Sequence, residues 1–480
     1  MSLSFSPIRI NIIFWGLCLI TATCFSLSFL LQENAWFYIP FGIIAFLLVF
    51  VYDVKILFFL LLFFIPFSIE LAVTRTIATD FPDELIMISL AACIVLYIAY
   101  NPLSVKPFLR HPLIQLLLLS LCWVVVASVF SYNFIISFKY FLAKSWYILA
   151  FVFGACLFVQ NKKDFIITGL CISIPMLCII LYTLYNHSFK GFSFESANNM
   201  MRPFFRNHVN YSAFIVCIIP VLFLFRYFSP QRQKKYWRIV IMITLAGLFF
   251  SYSRGAWLAL VVGLLAVYFI KKKKIKPALW GVVSVIAILF AALIYKNNYL
   301  RFAPDFNKTI FHKNLKGHLV ATFRLTDVSN AERFYRWIAG IRMSKEELIT
   351  GYGPNNFYDN YKRFADKRFR TWVSNNEDHS SVHNYFLLLL IEQGIPGLFL
   401  FSLLLYSMFV YAQKIYHRSV DIFYKKIVLA IAAILAMITT LNTLSDLIET
   451  DKIGSLFFIC LGFLVIIDLK TKNEKTIQSP

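Results

Sequence analysis

EDHSSVHNYFLLLLIEQG, Glu377 to Gly394, ends the one long polar segment of this 480-residue chain and opens a new apolar run. The run continues without alternation to Tyr411, so the span reads as 383–411. Roughly 17 to 25 apolar residues cross a bilayer, and only helices and closed barrels satisfy their backbone there. Barrel strands alternate in polarity, whereas a continuous run of this length marks a helix.

Working outward, the same kind of run recurs along the chain. Candidate spans are 10–31, 36–51, 54–70, 84–100, 113–131, 145–160, 165–186, 211–228, 237–253, 255–270, 278–295, 383–411, 425–445 and 453–468. The expected fold is therefore all-α: a polytopic membrane protein with about 12 to 14 transmembrane helices and one large, partly helical loop. It divides into a transmembrane bundle over 1–295, the loop over 296–382, C-terminal transmembrane helices over 383–470 and a short tail over 471–480. The composition agrees, with 60% hydrophobic residues, 52 Phe and a mean hydropathy of +0.71. The first run follows Arg9 without a small-residue cleavage site, so it reads as a retained span rather than a removed signal.

The net charge of +22 would suit nucleic acid in a soluble protein. In a polytopic chain, Lys and Arg first report topology through the positive-inside bias, so no nucleic-acid partner is expected. With both termini cytoplasmic, the inside segments hold 23 Lys or Arg against 8 in the short outside loops. All nine cysteines lie in apolar runs, which argues against a disulfide framework or a thiolate metal site.

Under this topology the loop, the 187–210 segment and the tight Ser253-Arg254 junction share the outer face. The loop carries 15 Lys or Arg against 9 Asp or Glu, an excess that points to an anionic ligand. Within it, Ser329 to Ile349 reads as a helix, with Ser329 and Glu332 spaced as a capping box and Phe334, Ile338, Ile341 and Ile349 as its apolar stripe. GYGP, Gly351 to Pro354, then breaks it.

Arg254 lies between two uncharged apolar runs. An arginine at that depth commonly snorkels to headgroups. Held in a near-absent loop, its planar guanidinium suits bidentate phosphate binding. Arg333 and Arg336, on one face of the loop helix, read singly as a solvated face and jointly with Arg254 as a clamp for a diphosphate. Arg202 and Arg206 form a further basic pair ahead of the span at Tyr211. A histidine at a helix start is commonly structural, but the near-neutral pKa of His383 also suits it to take a proton from a sugar hydroxyl. Glu377 and Asp378 are rival bases. His379 and His383 have i, i+4 spacing, but there is no HExxH and no acidic D-x-D pair, so no metal or other cofactor is expected.

These residues carry a resemblance. Arg254 to Leu258 has an R-x3-L pattern, His383 to Gly394 an H-x10-G pattern, and the loop holds an ERFYRW…GYGPNNF block. Together, in this order, they resemble the O-antigen ligase and O-antigen polymerase superfamily of bacterial membrane glycosyltransferases, over roughly residues 200–400. The resemblance implies metal-independent, inverting transfer of a glycan from an undecaprenyl-diphosphate donor at the periplasmic face of the inner membrane. The acceptor it implies is lipid A-core or another glycan or protein. It would give Arg254 and Arg333 to the donor diphosphate and His383 to the acceptor hydroxyl. The chain departs from the family at PFFRNHVNY, where extra charge at Arg206 and the imidazole of His208 make His208 a rival to His383. Repeat-unit polymerisation and protein glycosylation are alternatives. A flippase or transporter is a rival of another class, which would string charges through its spans, whereas these spans read as nearly uncharged.

Overall fold

The computed structural model describes residues 53–72, 78–302, 328–370, 374 and 381–478. The expected spans at 10–31 and 36–51, and the candidates Glu377, Asp378 and His379, lie outside the described residues. The architecture is all-α, with one small antiparallel hairpin among the described residues.

The chain runs through α1 (Val54–Phe67), strands β1 (Ile69–Ala72) and β2 (Ala78–Phe81), α2 (Asp83–Tyr100) and α3 (Pro112–Val129). Helix α4 starts at Phe134, widens into a π-helical turn over Ile148–Phe153 and ends at Phe158. Next come α5 (Lys162–Ser188), α6 (His208–Phe228), α7 (Lys234–Phe250), α8 (Arg254–Lys271) and α9 (Ile275–Ile294). The loop contributes α10 (Val328–Glu346), and the chain closes with α11 (Tyr385–Arg418), α12 (Ile422–Asn442) and α13 (Asp451–Gln478). Among the described residues, ten helices are long and apolar enough to cross a membrane. The chain is a multi-pass membrane protein.

Side-chain caps fix several helix starts. Asn161 and Asp164 form a capping box on α5, Asn207 caps α6, and Asn384 accepts the Leu387 N–H on α11. Helices α12 and α13 are the most enclosed, and α8 lies along α12. Helix α9 is exposed on nearly every side, as suits contact with lipid.

Three expectations need correction. The sixth span was placed at 145–160, but its helix begins eleven residues earlier at Phe134, which brings Lys139 and Lys144 inside it. Those lysines break the apolar run that located the span. On the loop helix, the buried face is Ala331, Phe334, Tyr335, Ala339 and Met343, while Ile349 is 70% exposed beyond the helix end. The large rings of Phe334 and Tyr335 pack on Phe369 and Tyr361, and that packing sets which face turns inward. The Glu332 carboxylate turns to Ser374 and Arg336. Finally, α11 is not one straight span. It is broken at Gly394 (φ 69°, ψ −170°), a conformation reserved for glycine, with Pro396 just beyond.

The loop fills that break. Tyr352 N donates to Ile391 O (2.8 Å), Gly353 N to Glu392 O (3.0 Å) and Ile395 N to Leu348 O (2.9 Å), while Trp123 of α3 caps Gln393 O (2.8 Å). Buried carbonyls freed by a kink are thus satisfied by loop backbone. Glu392 completes the latch by accepting the Phe357 N–H (3.2 Å).

The two ends of the bundle differ in polarity. One end gathers the 187–207 segment, the 251–254 turn, α10 and the 443–450 turn, joined by contacts such as Tyr252 Oη to Phe192 O (2.7 Å) and Lys452 Nζ to Phe204 O (2.5 Å). At the other end, Lys55 pairs with Asp164, Lys162 with Asp421, and Arg418 with Asp468.

Candidate active site

The turn between α12 and α13, LNTLSD (Leu441 to Asp446), receives three separate parts of the chain. Arg333 Nε donates to Leu444 O (3.2 Å). Asn384 Nδ2 donates to Thr443 O (3.1 Å), and Tyr385 N donates to Ser445 O (3.0 Å), which fixes the start of α11. Gly255 faces the same turn: a Cβ built there would stand 3.8 Å from Leu441 and 3.9 Å from Leu444. Arg254, at the first position of α8 and next to Gly255, therefore lies beside the turn that anchors Arg333 and the segment containing His383.

Each member of this trio has a distinct setting. Arg254 is half-buried at a helix N-terminus, where orphan N–H groups and the helix dipole add to its positive charge. Arg333 is half-buried on α10. His383 has φ 53° and donates its backbone N–H to Ser381 Oγ (3.2 Å). Its Nε2 lies 2.7 Å from the NH1 of Arg336.

Arg336 is 3% exposed. It is packed among Glu332 (3.5 Å), His383 and the Tyr361 hydroxyl. A guanidinium only donates, so Nε2 of His383 is the acceptor and its ring is neutral. Burial, with the charges of Arg336 and Arg333, pushes the His383 pKa down to about 3. The remaining ring proton is on Nδ1, and at neutral pH His383 offers a donor there.

The other candidates sit elsewhere on this end. Arg206, 68% exposed, pairs with Glu70 on the hairpin (2.5 Å). Arg202 is exposed, and its carbonyl accepts the Tyr182 hydroxyl (3.4 Å). His208, at the start of α6, approaches Asn198 Oδ1 through both its backbone N and Nδ1 (3.1 Å each).

Residues 239–402 match the family model described as O-antigen ligase. The resemblance read from Arg254, the loop block and His383 is borne out, since all three fall within that match. Over that segment, about a third of its length, the chain is similar to O-antigen ligases. No curated protein matches the chain. Arg202, Arg206 and His208 lie before the matched O-antigen ligase segment, and the 441–446 turn lies after it.

Sequence reasoning missed that turn and a group of charged residues beyond it. Lys144 Nζ meets Glu449 Oε1 (2.9 Å), and Glu449 also accepts the Tyr140 hydroxyl (2.9 Å). Ser381, the partner of the His383 N–H, hydrogen-bonds the Asp446 carboxylate. A signal was present: LNTLSDLIETDK, Leu441 to Lys452, is a polar junction between two apolar spans, like the one that drew attention to Arg254.

Proposed function

We propose that this protein moves a glycan from an undecaprenyl-diphosphate donor to an acceptor such as lipid A-core, at the periplasmic face of the inner membrane, without a metal and with inversion at the anomeric carbon. The observation that carries this reading is the docking of Arg333 and the His383 segment on one turn at one end of the bundle, with Gly255, the neighbour of Arg254, facing the same turn. A lipid diphosphate needs several cationic donors at headgroup depth and an apolar flank for its chain. Arg254 and Arg333 supply the donors, and the spanning helices supply the flank. The end rich in Lys55, Lys162, Lys271 to Lys274 and Arg418 is then cytoplasmic, by the positive-inside bias.

In this reading Arg254 and Arg333 bind the diphosphate and stabilise the charge that builds on it as the bond to the anomeric carbon breaks. Arg336, being buried, holds His383 rather than the substrate. His383 presents Nδ1–H to a reacting oxygen and orients it. The site is a seam where the loop meets the membrane helices, and the loop is one wall of it.

Deletion of the gene, followed by analysis of lipopolysaccharide and of the lipid-linked pool, tests the function. Long glycan stranded on the carrier, with bare lipid A-core, is the expected result. A single repeat unit on lipid A-core would mean a polymerase instead. Unchanged lipopolysaccharide with unglycosylated surface proteins would sink both.

A further inference from the structure

Next to the arginine and histidine site, but with the opposite electrostatic character, lies a cavity of about 310 Å³. Its walls include Lys144, Trp146, Tyr358, Ser381, Asp446 and Glu449. Ser381 links it to the first site, accepting the His383 N–H and hydrogen-bonding Asp446.

Three independent features point to a ligand. Lys144 sits inside a membrane-spanning helix, where a charge is costly and commonly marks a substrate path, and it faces this space paired with Glu449. The Tyr147 hydroxyl, in the same wall, is buried with no partner among the described residues. The wall also combines carboxylate acceptors with the rings of Trp146 and Tyr358, which suits a molecule with many hydroxyl donors and apolar C–H faces. A diphosphate does not fit that description, because the carboxylates would repel it. Among the described residues, no three His, Cys, Asp or Glu side chains converge as metal ligands.

Resting on the function proposed above, we infer that this cavity is the acceptor subsite: it holds the sugar bearing the attacking hydroxyl, and the Asp446 carboxylate takes that hydroxyl's proton. The step balances. The acceptor O–H proton passes to an Asp446 oxygen, and the oxygen's electron pair forms the new bond to the anomeric carbon. The bond from that carbon to the diphosphate oxygen breaks, and its electron pair leaves with undecaprenyl diphosphate, held by Arg254 and Arg333. The division of labour follows from charge, with cations on the donor side and carboxylates on the acceptor side. His383 cannot take the proton, because Arg336 occupies its one lone pair. Burial raises the Asp446 pKa above the ordinary carboxylate range, which makes it a stronger base than a solvated aspartate.

The test uses the full-length protein in nanodiscs, with an undecaprenyl-diphosphate-linked oligosaccharide as donor and lipopolysaccharide lacking O antigen as acceptor. Asp446→Asn is expected to slow transfer by about 10²-fold or more, while affinity for undecaprenyl diphosphate stays within about twofold of the parent. Tyr358→Ala is expected to raise the acceptor KM about tenfold and leave the donor KM unchanged, and it serves if Asp446→Asn does not fold. Transfer by Asp446→Asn within threefold of the parent, or a Tyr358→Ala effect confined to the donor KM, overturns this assignment and leaves the function standing. A parent protein that moves glycan to no acceptor overturns the function, and this inference with it.

Discussion

Arg336 and His383 are joined by a 2.7 Å contact between a guanidinium nitrogen and Nε2, and this contact fixes the imidazole as a neutral hydrogen-bond acceptor at that atom. A histidine at the mouth of a span reads as a base from sequence. With its lone pair filled, it becomes a fixed donor through Nδ1.

The first prediction concerns protonation. With a folded pKa of about 3 against an ordinary 6.5, His383 stays neutral from pH 5 to 8. Below pH 6.5 the unfolded chain takes up a proton that the folded chain refuses, so stability falls as pH drops from 6.5 toward 3. Nitrogen chemical shifts of labelled histidine are expected to show a neutral Nδ1–H ring throughout. In Arg336→Leu the transition moves up toward 6.5.

A second prediction concerns the two arginines. Arg254→Ala and Arg333→Ala each lose roughly 10²-fold or more of transfer while the protein remains in the membrane at the parent level. Lysine at either position restores charge but not the planar two-pronged donor, so it recovers only a small part of the rate. Arg206→Ala, which removes an exposed pair with Glu70, leaves transfer within about threefold.

The broken helix makes a third. At Gly394 a Cβ would collide with the Ile349 carbonyl, and the backbone conformation is itself closed to other residues. Gly394→Ala is expected to cost ~3 kcal/mol and to lower both the melting temperature and the yield of folded protein. Gly353, at φ 93° against Ser131, behaves alike, because both glycines fasten the loop to the membrane helices.

Much of the fold was legible because bilayer thickness imposes its length on every span, and the end shared by Arg254, the loop and His383 followed from counting lysines and arginines. What was hidden has physical causes. Lys144 was left outside its helix because a charge that pairs across a cavity with Glu449 interrupts the apolar run used to find the span. The break at Gly394 depends on backbone pairing with Leu348 to Gly353, and backbone hydrogen bonds carry no residue-type signature. For the same reason the Leu444 carbonyl, on which Arg333 rests, could not be singled out. Asp446 lies outside the matched segment and far along the chain from His383, and contacts that leave no mark in the sequence, the Ser381 bridge and the bonds of Asn384 and Tyr385 to backbone carbonyls of the same turn, bring them together.

Reconstituted transfer tests the roles of Arg254 and Arg333 directly: purified protein, an undecaprenyl-diphosphate-linked glycan and lipid A-core, with glycan on lipid A-core and released undecaprenyl diphosphate measured together. One carrier diphosphate is expected to be released per glycan transferred, both lost together in Arg254→Ala and in Arg333→Ala. Equal transfer by the parent and both arginine variants would contradict those roles.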